Sequence, residues 1–97
     1  MTRDEVEKDY NVSTLSKLII EWLSRQPAKP YSSREVAEAL GVFAPGVVSD
    51  ESYFMRRKKL LVSEYNGDHI PIGQLMLAAG VRAAYCPVEP STKDKKK

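Results

Sequence analysis

From Val12 onward the apolar positions fall into helical phase. In "NVSTLSKLIIEWLSRQP", Leu15, Leu18, Ile19, Trp22 and Leu23 recur at i, i+3, i+4, i+7 and i+8, the spacing of one helix face. Asn11 or Ser13 can cap its start, Arg25 suits its negative pole, and Pro27 stops it. "AKPYS" follows as an extended link, because a residue preceding proline is pushed out of the helical region. The next helix is short. Ser32 and Glu35 form an S-x-x-E capping box, Val36, Ala37 and Leu40 make an apolar stripe, and Gly41 suits a left-handed stop.

A third helix lies within "VFAPGVVSDESYFMRRKKLLVSEY", starting at Ala44–Pro45 or at Ser49–Asp50, with acidic residues early and basic residues late. Run through Val47–Leu61, it gathers Val47, Phe54, Met55 and Leu61 on an inner side. Ser49, Ser52, Tyr53 and Arg56 then face outward. "LLVSEY", "NGD" and "HIPI" predict strand, turn and strand, since Asn-Gly is a strong hairpin signal, and Pro71 suits an edge. "IGQLMLAAGVRAAYCPV" reads in two ways: a helix Gln74–Ala79 before a strand Val81–Val88, or two strands around "AAG", with the hairpin preferred. The sequence thus predicts an α+β, mostly helical fold, a three-helix core with a C-terminal β-hairpin over residues 12–88. Residues 1–11 are expected as a flexible acidic arm and 89–97 as a disordered basic tail.

Composition narrows the function classes. The chain has 97 residues, 42% apolar and 29% charged, with a net charge of +2, as an ordinary globular domain does. Its N-terminus "MTRDEVEKDY" lacks the apolar centre of a secretory signal, and no run reaches the length of a membrane span. A cytoplasmic, nucleoid-associated protein is therefore expected. With one cysteine, Cys86, placed in apolar surroundings, and one histidine, His69, neither a catalytic pair nor a metal cluster stands out, and there is no glycine-rich phosphate loop. The protein is expected to be no enzyme and to need no cofactor. Positive charge concentrates in Arg56–Lys59 and in the tail "STKDKKK", which permits a local basic field.

The stretch "SSREVAEALGVFAPGVV" resembles the helix-turn-helix of bacterial and archaeal DNA-binding proteins. Ala37, Gly41 and Val47 occupy that motif's small, turn and branched-apolar places. Asp50 departs from it, standing where an apolar residue is usual, and "FAPG" is rich in helix breakers. The wider order of helix, link, helix, helix and hairpin is similar to a winged helix-turn-helix domain of the transcription-regulator type. A second fragment, "IPIGQLMLAAGV", is similar to the opening helix of mercury-resistance-type regulators.

The resemblance implies double-stranded DNA as partner and transcription regulation as role. Candidate base readers are Ser49, Ser52, Tyr53 and Arg56, the last able to donate twice to a guanine edge. Candidate phosphate contacts are Ser32, Ser33 and Arg34 at a helix N-terminus, Arg57 and Lys59 beside the reading helix, and Arg82 on a wing near Gly80. Lys58 is expected to lie along the core or pair with Glu51. Val47 is expected to be buried, so that Val47→Asp would unfold the domain. Homodimers are expected, with Leu75, Met76, Leu77 or the Trp22 helix as spare apolar surface. Two other functions fit the same pattern: a protein-interaction winged helix within a larger assembly, and an RNA- or ribosome-associated one.

Overall fold

The computed structural model describes residues 2–41 and 44–85. Val42, Cys86 and the basic tail 89–97 lie outside the described residues. The fold is α+β, with the order α1 (Arg3–Asp9), α2 (Thr14–Ser24), β1 (Tyr31–Ser32), α3 (Ser33–Leu40), α4 (Pro45–Arg57), β2 (Glu64–Tyr65), β3 (Asp68–His69), β4 (Gln74–Leu75) and α5 (Ala79–Tyr85). None of these helices is long and apolar enough to cross a membrane.

Local signals explain most of the boundaries. Ser13 caps α2 by accepting from the Ser16 amide at 3.1 Å. Ser32 and Glu35 close the predicted capping box, with reciprocal bonds of 3.1 Å. Gly41, at φ 73°, donates its amide to the Ala37 carbonyl at 2.9 Å and ends α3, a conformation that glycine takes at no steric cost. Pro45 opens α4 at its first position, where its missing N–H costs nothing.

The end of α4 is a Schellman motif. The amide of Leu60 reaches the Met55 carbonyl and that of Lys59 the Arg56 carbonyl, both at 3.0 Å, while Lys59 stands at φ 68°. Leu60 and Met55 are both wholly buried, supplying the apolar contact that accompanies such a cap. Asn11, a candidate cap for α2, instead takes the left-handed place that ends α1, at φ 52°.

The hairpin forms at the predicted turn. Asn66 and Gly67 have φ of 54° and 84°, as a type I′ turn requires, and pair Glu64 with His69 and Tyr65 with Asp68. Below it the two arms converge through the Leu61–Leu77 bridge and the Val62 amide on the Met76 carbonyl at 2.9 Å. The returning arm then pairs with β1, Tyr31 opposite Leu75 and Ser32 opposite Gln74.

Three expectations change here. Residues 74–85 are neither of the two arrangements foreseen: the strand comes first and the helix Ala79–Tyr85 follows. The opening helix suggested by "IPIGQLMLAAGV" is correspondingly a strand at Gln74–Leu75. Pairing with distant β1 holds Gln74–Leu75 extended, while the second half, a strand in both readings, forms a helix that buries Val81 and Ala84. Residues 1–11, expected as a flexible arm, carry α1, which is closed by a Thr2–Glu5 capping box and buries Val6 completely.

α2 lies at the centre. Its Ile19, Ile20 and Leu23 join Val36, Ala37, Val48, Met55, Leu60, Leu75, Leu77, Val81 and Ala84 in one core. Trp22 packs edge-on against Tyr31 with ring centres 5.3 Å apart, while the Tyr31 hydroxyl donates to the Pro27 carbonyl at 3.0 Å. α1 closes the far side through charge. Arg3 pairs with Glu7 at 3.1 Å and with Glu21, Lys17 approaches Glu7 at 3.6 Å, and the Tyr85 hydroxyl donates to Glu7 at 2.8 Å.

This docking gives a pH dependence. The Tyr85 hydroxyl, with help from Arg3 and Lys17, holds the Glu7 carboxyl below the usual carboxylate range. Burial, and then Glu7, push the Tyr85 phenol above its own range. The depressed carboxyl contributes stability above its unfolded value of 4.5 and loses it as pH falls through the folded value. The raised phenol contributes below its unfolded value of 10.0 and loses it as pH rises beyond that. Thermal melts followed by circular dichroism should therefore peak between these limits. Tyr85→Phe should flatten the alkaline limb. An alkaline limb identical in the two proteins would mean that Tyr85 is not the group responsible.

Candidate functional site

α4 is the helix whose outward side was expected to act, and its accessibility has a clear period. Val48, Ser52 and Met55 are buried, and Gly46, Val47, Asp50, Tyr53, Phe54 and Arg57 are exposed. Met55 and Leu61 are buried as expected, but Val47 and Phe54 are not, so the inner stripe of the helix is centred about 100° from the expected phase. Val47, the expected anchor, is 44% exposed, while neighbouring Val48 is 0% exposed. A serine in the inner stripe hid the true phase. Ser52 tolerates burial because its hydroxyl donates to the Ser49 carbonyl at 2.6 Å, so no polar group is left unpaired.

Both flanks of α4 are tied down. On one, Glu51 accepts from the Ser13 hydroxyl at 2.8 Å and from that of Ser16, which joins α4 to the start of α2. On the other, the Arg56 guanidinium donates to three backbone carbonyls: Ile70 at 3.0 Å, Pro71 at 3.3 Å and Gln74 at 3.2 Å. Arg56 therefore staples the loop between β3 and β4 to the helix. Lys58, half-buried, donates to the Asn11 carbonyl at 3.0 Å rather than pairing with Glu51.

The candidate base readers are consequently divided. Ser52 faces inward, Arg56 is held by the loop, and Ser49 is half-buried beside Gly73. Tyr53 remains on the open face. Among the phosphate candidates, Ser32 and the Ser33 amide serve the α3 start, the latter donating to the Gly73 carbonyl at 2.9 Å. Arg82 lies in α5 rather than on a wing, and donates to the Leu23 carbonyl at 3.1 Å and to that of Gln26, satisfying the end of α2. Arg34, Arg57 and Lys59 stay exposed. Of the apolar surface expected to be spare for pairing, Leu75 and Leu77 are buried and Trp22 packs on the core.

What α4 shows to solvent is apolar and aromatic. Tyr53 is 50% and Phe54 53% exposed, and Ile72 on the stapled loop is 68% exposed. The Tyr53 and Phe54 rings meet edge-on, 5.6 Å between centres, and the Arg57 guanidinium lies 5.8 Å from the centre of the Tyr53 ring. Only Asp50 and Arg57 bring formal charge to this face, one of each sign.

A shallow cleft of about 490 Å³ opens where α4 meets the hairpin, lined by Arg56, Lys59, Leu61, Val62, Ser63 and Glu64. Its lining sets the cations Arg56 and Lys59 against one carboxylate, Glu64, and the Arg56 guanidinium is occupied by backbone carbonyls. Among the described residues no three His, Cys, Asp or Glu side chains gather as metal ligands would. Sequence reasoning missed the Val47–Phe54 patch because it assigned those residues to the core; the signal against that was Val48, which offers Met55 an equally good inner partner. Compared with known proteins, the chain matches no family model, no curated protein and no solved structure.

Proposed function

We propose that the chain is a winged-helix domain that associates with protein through the solvent face of α4. The order helix, strand, helix, helix, hairpin, with β1 paired to the returning arm, supports the winged-helix reading, α4 standing in the place of the recognition helix. One observation carries the functional choice. The outer face of α4 presents Val47, Tyr53 and Phe54, whereas Ser52 and Arg56, expected to read bases, are engaged with the chain's own backbone. Contiguous exposed apolar surface marks association sites, and exposed aromatics beside arginine are typical of protein-binding anchors. The hairpin tip, flanked by Glu64 and Asp68, adds little attraction for phosphate.

Salt dependence separates this role from nucleic-acid binding. In gel shifts with random-pool duplex DNA at two salt concentrations, no salt-sensitive retardation is expected. Binding through several phosphates would instead weaken steeply, log affinity falling by roughly 0.9 per phosphate neutralised. Such a response, abolished by charge removal at Arg34, Arg57 and Lys59, would overturn the proposal in favour of a DNA-binding regulator. The same response to hairpin RNA alone would favour the RNA-associated role.

A further inference from the structure

We infer that the partner on α4 is a second copy of this chain, docked antiparallel about a two-fold axis beside Tyr53 and Phe54. The inference rests on the protein-association reading above and names its occupant. Gly46, Asp50, Tyr53 and Arg57 are all exposed and follow at i, i+4, i+7 and i+11, so they form one stripe along the helix, with Val47 and Phe54 beside it. In a two-fold interface each contact occurs twice, residue i against j and j against i. Centring the axis midway between Asp50 and Arg57 places Asp50 of each copy against Arg57 of the other.

The two charges suit this pairing because neither has an ion-pair partner among the described residues. They stand seven residues apart, about 10 Å along the axis, too far to pair with each other. The ion pairs among the described residues lie elsewhere, at Arg3, Glu7, Lys17 and Glu21, and Arg57 meets only the Tyr53 ring. A parallel pairing would set Asp50 against its own copy and Arg57 likewise, and repulsion excludes it. In the antiparallel arrangement two Tyr53–Phe54 pairs fill the centre, and the ion pairs form the rim, as in stable interfaces. The contact area of one helix of this length is small, so association is weak and concentration-dependent.

Charge reversal in sedimentation equilibrium tests the register. The full chain should show a monomer–dimer equilibrium as its concentration rises towards the millimolar range. Asp50→Lys and Arg57→Asp, each at an exposed position and checked for folding by circular dichroism, should each weaken self-association about tenfold or more. An equimolar mixture of the two variants should regain the dimer. In that mixed pair the introduced lysine faces the introduced aspartate, and the native Arg57 of one chain faces the native Asp50 of the other. A wild type that stays monomeric, variants that dimerise like wild type, or a mixture that stays apart would each overturn the inference. A monomeric wild type with no salt-sensitive DNA retardation removes only the second copy and leaves the protein-association reading. Salt-steep DNA binding removes that reading itself.

Discussion

Val48→Asp is expected to abolish the cooperative thermal transition, whereas Val47→Asp should melt within a few degrees of the parent. The two residues are adjacent and identical, so only their position on α4 distinguishes them. Val48 is 0% exposed within the core and Val47 is 44% exposed. A carboxylate at Val48 would lie buried without a partner, costing several kcal/mol. A domain of this size has only about 5–15 kcal/mol in total. At Val47, in the first turn of a helix whose Ala44 offers no side-chain cap, aspartate would meet the positive end of the helix dipole and add a few tenths of a kcal/mol. Circular dichroism melts of the two variants settle the phase of α4. The reverse order would restore Val47 as the anchor and return Ser52 and Arg56 to solvent.

Arg56→Ala should lower stability by about 3 kcal/mol, because charge-assisted bonds to backbone carbonyls are among the stronger ones and three carbonyls lose a charged donor together. At roughly 4–8 °C per kcal/mol for such a domain, the melting temperature should fall by more than about 10 °C. Arg56→Lys should recover less than half of this, since one ammonium cannot reproduce a planar fork reaching three acceptors. Hydrogen exchange should localise the loss to residues 70–74, the loop that Arg56 holds. A base-reading arginine would behave oppositely: Arg56→Ala would leave the melt unchanged and alter only DNA discrimination, by about 1–3 kcal/mol. An unchanged melt would therefore overturn the stapling role.

These two variants bear on the same difference between sequence and structure. Arginine beside lysines in "RRKK" looks like a basic surface, and the composition of the stretch contains nothing that separates Arg56 from Arg57. The difference arises from carbonyls at Ile70, Pro71 and Gln74, which come near α4 only after the hairpin has returned to pair with β1. Arg82 has the same history, its guanidinium being taken by the end of α2 more than fifty residues earlier. The acidic N-terminus was illegible for another reason. Its single buried apolar residue, Val6, sets no periodicity, and its stabilising partners lie on Lys17, Glu21 and Tyr85.

By itself the sequence determined much of the punctuation of the chain: the Ser32–Glu35 box, the Gly41 stop and the Asn66–Gly67 turn. Each of these is decided within three or four residues, where backbone geometry and a neighbouring side chain leave little choice. Tertiary structure alone decided which side of α4 faces in, the order of strand and helix after residue 73, and which cations remain available. Val47 with Phe54 and Val48 with Met55 are nearly equivalent apolar pairs along the helix. The choice between them falls to the surfaces brought against α4 from α2, α3 and the loop at residues 70–74, and those surfaces exist only in the folded chain.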